Sequence, residues 1–285
     1  MSHARRGTVW NMLMSWNFKN WYRARILENQ SIPDDLWKRV ISRLDFLRGL
    51  NHVELKRLRE CATLFLHAKQ ISGAHALVVT EEMHVLIAVQ ACILILNLDL
   101  DYYDDWVEVI VYPGEFLRTY EYTDEAGVVH HESEPASGES WLGGPVILSW
   151  EDAAASGRGY NVVIHEFAHK LDMLNGDANG CPPLHTGMSQ QAWSESFGRA
   201  YTDFCEEVEA IERDAPEAGA HSAVGAGIDP YAAESPAEFF AVLSEAFFEI
   251  PLAVKLHFPV VYTQLALFYR QDPALRWIKG VPDRT

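Results

Sequence analysis

The spacing of apolar residues changes along the chain, and the changes predict where helices give way to strands. From Asp34 to Leu50, Leu36, Val40, Ile41, Leu44, Phe46 and Leu47 recur near helical spacing. Leu55, Leu58, Ala62, Phe65 and Leu66 repeat the pattern. A short β-branched run, Ala76 to Val79, comes next. Thr80, followed by Glu81 and Glu82, then reads as an N-cap with an acidic first turn. The helix it opens carries Ile87 to Leu98, interrupted by Gln90 and Asn97. That stretch is too short to span a bilayer and predicts a buried helix.

The middle of the chain is different. Trp106 to Tyr112 is β-rich and stops at Pro113-Gly114, Phe116 to Tyr122 predicts a second strand, and Pro145 to Trp150 a third. Thr123 to Ser140 reads as an exposed loop or hairpin tip. Past Gly157 and Gly159, a helix begins near Tyr160 or Asn161, and helical patterns then run to the end. Strands grouped between helices predict an α+β fold rather than repeated βαβ units. No internal repeat or long linker divides the chain.

Composition narrows the function. The chain has 285 residues, 48% hydrophobic and 22% charged, with 23 basic against 40 acidic residues and a net charge of -17. Phosphate backbones and anionic membranes need Lys and Arg, so no direct nucleic-acid partner and no membrane surface is expected. Four scattered cysteines, Cys61, Cys92, Cys181 and Cys205, form no CxxC pair. Met1 to Asn20 lacks the apolar core of a signal peptide, and a cytoplasmic location is expected.

The most informative stretch is Asn161 to Gly176, which holds His165-Glu166-Phe167-Ala168-His169, an HExxH pattern. Chance supplies about 0.04 such matches in a chain of this composition. On a helix, residues four apart share a face, so both imidazoles can point at one metal ion. Val163, Ile164, Phe167, Leu171 and Leu174 form a separate apolar stripe. Glu166 lies where a carboxylate can take a proton from metal-bound water.

Catalytic zinc sites usually have three protein ligands. No metzincin-type histidine follows His169, so the third must come from elsewhere. Ser235 predicts an N-cap, Pro236 a first helical position, and the helix then runs to about Glu249 with apolar residues almost all round. Glu238, in its first turn, is a candidate ligand. It also completes a Ser-x-x-Glu capping box, and helix physics leaves the two roles open. Glu234, Glu245 and Cys181 are rivals. Asp172 could orient a ligating histidine, but a solvated charge is the commoner fate of a helical Asp. His130-His131-Glu132 could bind metal only adventitiously, and the other histidines read as structural. No GxSxG elbow or P-loop occurs.

On four stretches above all, "HEFAHKLDMLNG", "YAAESPAEFFAVLSEAFFEIP", "VIVYPGEF" and "VILSWED", the chain resembles the Mlc titration factor A family. These are zinc metallopeptidases with a zincin-like core, and the likeness covers roughly residues 30 to 275. The family pattern pairs HExxH with a later Tyr-x6-Glu, here Tyr231 to Glu238. The resemblance implies one Zn2+ per chain held by His165, His169 and Glu238. It implies Glu166 as general base and Tyr231 as the group that stabilises the oxyanion. It further implies an α+β, zincin-like metallopeptidase core with an HExxH active-site helix, a small mixed sheet and additional N-terminal helices. The whole chain, 1-285, is then one unit, with roughly 1-75 an N-terminal helical part and 76-285 the catalytic core.

The expected activity is peptide hydrolysis, aminopeptidase-like by resemblance, on a peptide or protein substrate. An edge strand in "PVILSW" or "WVEVIVY" would pair with extended substrate. Family members are associated with a transcriptional repressor of the Mlc type, so the rival reading is a non-catalytic module that sequesters such a repressor. A deformylase-like hydrolase is a weaker third reading, because no companion motif surrounds Cys181.

Overall fold

A computed structural model describes residues 18–123, 129–155, 157–214 and 227–279. It is α+β, with helices around a small mixed sheet. A first helix, α1 (18–29), is followed by α2 (Asp34–Ile41), α3 (His52–Ala68), strand β1 (Gln70–Gly73) and α4 (Glu81–Leu94). Strands β2 (Glu108–Tyr112), β3 (Phe116–Thr123), β4 (Val129–Ala136), β5 (Gly138–Ser140) and β6 (Val146–Ser149) come next. Then follow helices α5 (Trp150–Ala154), α6 (Val162–Asp172), α7 (Gln190–Asp214), α8 (Pro236–Glu249), α9 (Pro251–His257), α10 (Pro259–Tyr269) and α11 (Pro273–Lys279).

The sheet runs β1-β2-β6-β5, parallel except for β5, which pairs antiparallel with β6 along the edge. Both strands expected at the edge, in "WVEVIVY" and "PVILSW", are therefore interior. Their alternate residues Val109, Val111, Val146 and Leu148 are fully buried, as strands covered on both sides require. The stretch expected as an exposed loop or hairpin tip supplies β4, which pairs with β3, and the short edge strand β5. β3 and β4 pair antiparallel as a separate two-stranded sheet, and residues 124–128 lie outside the described residues.

Ala76 to Val79 is not a strand. His75 and Ala76 take left-handed backbone angles, φ 49° and 63°, and turn the chain back on itself. A Cβ on Gly73 would stand 2.0 Å from the carbonyl oxygen of Leu77, so only glycine admits this return. Val78 is left 81% exposed. The first strand is the less apolar Gln70–Gly73, which lies within the stretch read as helical.

The Thr80 cap forms as expected, its hydroxyl accepting the N–H of Met83, and Val85 to Leu94 are buried throughout. α6 packs against the sheet, α4 and α8. Its Phe167 meets Phe65, Tyr103 and Trp106 at ring-centroid distances of 5.7, 5.2 and 5.5 Å. Each such buried ring contributes about 1.5–3 kcal/mol. Among the described residues, no helix is long and apolar enough to cross a membrane.

Candidate metal centre

The HExxH residues lie on α6. Asn161 caps the helix, its side-chain oxygen accepting the N–H of Ile164 at 3.0 Å. Val163, Ile164, Phe167 and Leu171 are completely buried, and that packing fixes the helix's rotation. His165 and His169 consequently stand together, their Nε2 atoms 3.1 Å apart.

Glu238 reaches both rings from α8. Its Oε2 lies 2.9 Å from Nε2 of His165 and 3.2 Å from Nε2 of His169. The capping alternative resolves without conflict. The backbone N–H of Glu238 donates to the Ser235 hydroxyl at 3.2 Å, which leaves the carboxylate free for the imidazoles. Burial pushes the Glu238 carboxyl up, but hydrogen bonds from the two histidines outweigh it and hold the group well below the usual carboxylate range. His165 responds in the opposite sense. Burial pushes it down, and contact with Glu238 and Glu245 raises it well above an ordinary imidazole.

Among the described residues, His165, His169 and Glu238 form the cluster able to hold a metal ion, their ligand atoms all within 4.8 Å of one another. A tetrahedral ion with bonds of about 2.0–2.1 Å needs ligand atoms about 3.3 Å apart. The observed separations of 2.9–3.2 Å are close to that, so the donor set fits a metal. Two imidazole nitrogens and one carboxylate oxygen make a set that suits a borderline cation.

Glu166 is 4% exposed, and its Oε2 has no hydrogen-bond partner. Burial pushes its carboxyl up, against the opposing pull of His165 and His169. Strand β5 passes directly over it. A Cβ on Gly138 would stand 2.3 Å from Glu166 Oε1, and the Ser140 hydroxyl donates to the Glu166 carbonyl at 2.9 Å. Tyr231, 45% exposed, sits with its ring centroid 6.2 Å from that of His165. The short helix Pro230–Ala233 carries it, opened by Asp229, whose carboxylate accepts the Tyr231 N–H at 2.9 Å.

The rival ligands fall elsewhere. Cys181 and Glu234 are not in the cluster. Glu245 is 3% exposed, and its Oε1 accepts from Nδ1 of His165 at 2.7 Å. That bond leaves Nε2 of His165 as the nitrogen available to a metal. Sequence reasoning weighed Glu245 only as a ligand. The available signal was its place seven residues after Glu238, two turns along an apolar helix. Asp172 is neither a solvated charge nor the partner of His169. It is fully buried and accepts the N–H groups of Asn179 and Gly180 at 2.8 and 2.7 Å, which pins the chain leaving α6. Lys170, 4% exposed, escaped the sequence reading altogether. Its ammonium donates to the carbonyls of Trp141 and Gly144 at 2.5 and 2.8 Å and ties the β5–β6 turn to α6. The side chains of His130, His131 and Glu132 lie outside the described residues.

Comparison with known proteins places the chain in a family. Residues 18–270 match the family described as glucose-regulated metallo-peptidase M90. Mlc titration factor A of Yersinia enterocolitica is 36% identical over 243 residues, which cover 84% of this chain and 86% of the relative. Mlc titration factor A of Yersinia pestis strain Pestoides F is 36% identical over 254 residues, covering 87% and 89%. The match begins at α1 and runs to the end of α10, taking in every residue of the His-His-Glu cluster, and the chain belongs to the glucose-regulated metallo-peptidase M90 family.

Proposed function

We propose that the protein is a zinc-dependent peptidase, aminopeptidase-like in activity, with one Zn2+ per chain held by His165, His169 and Glu238. The observation that carries the reading is the convergence of these three ligands beside the buried, half-unpaired carboxylate of Glu166. When bound, the ion would acidify a water molecule and polarise the scissile carbonyl. Glu166 would take a proton from that water and pass it to the leaving amine. The Tyr231 hydroxyl would donate to the oxygen of the scissile carbonyl as it gains charge. The outer edge of β5 pairs with the extended backbone of a peptide or protein substrate. Four unpaired thiols accord with work in the cytoplasm.

The test is metal content by mass spectrometry on untagged protein. The wild type should carry near-stoichiometric zinc and a folded Glu238→Ala variant little. Glu166→Gln should keep its zinc and lose about 10²–10⁴-fold in peptide hydrolysis. A wild type that takes no zinc on reconstitution, or a fully active Glu166→Gln, overturns the assignment.

The relatives' name, Mlc titration factor A, favours a second reading, binding of a transcriptional repressor of the Mlc type. Sequestration needs a surface and not a metal. A folded His165→Ala variant that still binds such a repressor in a pull-down would separate the two roles, and joint loss of zinc and binding would merge them.

A further inference from the structure

Behind the ring of His165 lies a second polar cluster that the proposed chemistry does not use. Its centre is Asn161, fully buried at the start of α6. The backbone N–H of Asn161 donates to Glu245 Oε2. Its side-chain amide donates to Gln90 Oε1 on α4 at 2.7 Å and to Glu249 Oε1 on α8 at 2.9 Å. Gln90 is fully buried in turn and donates to the carbonyl of Ala153 at 3.2 Å. One asparagine thus joins three helices and both carboxyl groups.

Glu245 and Glu249 are one turn apart on α8, 3% and 4% exposed. His165 is the only imidazole or cation hydrogen-bonded to this cluster among the described residues, and its Nδ1 is committed to Glu245. The groups facing Glu249 are Glu245 on its own helix, Asp45 from the short helix Asp45–Leu47, and the neutral amide of Asn161. Neither charged neighbour is positive. A buried carboxylate without a counter-charge neutralises itself by keeping its proton.

We propose that Glu249 is a positioning residue for the metal centre: as a neutral acid it holds the amide of Asn161, and Asn161 fixes the Glu245 carboxylate that orients His165. Burial accordingly pushes the Glu249 carboxyl up to about 7, with Asn161 pulling it down and Glu245 and Asp45 pushing it further up. The link to zinc rests on the proposed metal site. The protonation of Glu249 does not.

The experiment uses the full chain with Glu249→Gln, which mimics the neutral acid, and Glu249→Ala, which removes it. Thermal melting of the metal-free proteins comes first. A raised folded pKa means that the wild type keeps a proton the unfolded chain has released, so stability is lost as pH rises from about 4.5 through about 7. The melting temperature of Glu249→Gln relative to wild type should therefore climb from about pH 5 to about pH 7 and level off above. A difference independent of pH overturns the neutral-acid assignment.

Zinc affinity by chelator competition comes second. Glu249→Gln should match wild type near pH 6, and Glu249→Ala should bind about 10–100-fold more weakly. Equal affinity in Glu249→Ala overturns the positioning role. If Glu249→Ala fails to fold, Asn161→Ser, which keeps a capping oxygen and deletes the amide donors, should show the same weakening. A wild type without zinc counts against the proposed peptidase, while the metal-free melting curves still decide the state of Glu249.

Discussion

Gly138→Ala tests how closely β5 is fitted to the proposed base. In a strand, alanine is ordinarily favoured over glycine by about 0.5–1 kcal/mol, because glycine loses more backbone entropy on folding. Here the new Cβ would stand 2.3, 2.7 and 2.8 Å from Oε1, Cγ and Cδ of Glu166. Comfortable carbon contacts need about 3.5–4.0 Å. The strand has little room to retreat. Gly138 is in register with Leu148, Ser137 accepts the N–H of Ser149 at 2.7 Å, and Ser140 holds the Glu166 carbonyl. The Glu166 side chain must therefore move. Overpacking of this kind costs about 1–3 kcal/mol, which exceeds the gain from losing glycine. Net destabilisation should be about 1–2 kcal/mol, and at about 2–4 °C per kcal/mol the melting temperature should fall by about 2–8 °C. A base displaced by about 1 Å should cost about 10²-fold in kcat. Calorimetry, zinc content and turnover of a fluorogenic peptide report the three quantities separately. The expected result is full zinc, a lower Tm and a lower kcat. A variant that melts at or above wild type and turns over normally would refute the close fit of β5 to Glu166.

Three further substitutions address the supporting residues. Glu245→Ala strands Nδ1 of His165 and should weaken zinc binding about 10–100-fold with the ligands intact, read by chelator competition. Ser235→Ala removes the cap of α8 and should cost about 0.5–2 kcal/mol in thermal melting without loss of zinc, because the Glu238 carboxylate is not part of the cap. Lys170→Met deletes both bonds to the β5–β6 turn and should cost about 1–3 kcal/mol. In peptide kinetics it should raise KM more than it lowers kcat.

The helices were legible because their signals are local. Thr80, Asn161 and Ser235 announce helix starts that the structure reproduces, and the two histidines are neighbours by helical geometry alone. The sheet was less legible. The β-branched run at Val78 and Val79 lacks a neighbouring strand, whereas Gln70–Gly73 becomes a strand because β2 offers it a ladder. Strand order is equally non-local, and nothing in "VILS" says which neighbours it will have. In the site, Glu238 was ambiguous because a cap and a ligand would draw on the same residue through different atoms. Asp172 misled because a polar residue suggests solvent, whereas the loop that buries it arrives from seven and eight residues further on. Glu245, Glu249 and Gly138 acquire meaning only when α8 and β5 close on α6.

The division of the ligands between two helices bears on how the protein assembles. His165 and His169 are neighbours as soon as α6 coils, but Glu238 lies 69 residues beyond His169. Bringing it in means closing a long loop, whose entropic cost must be met by the packing of α8 before any ion gains its third bond. Metal capture by the proposed site would then be a late event, a latch thrown after the door has shut. A chelator acting on the proposed site would undo only that last bond, leaving the α6–α8 packing and the β1-β2-β6 ladder in place.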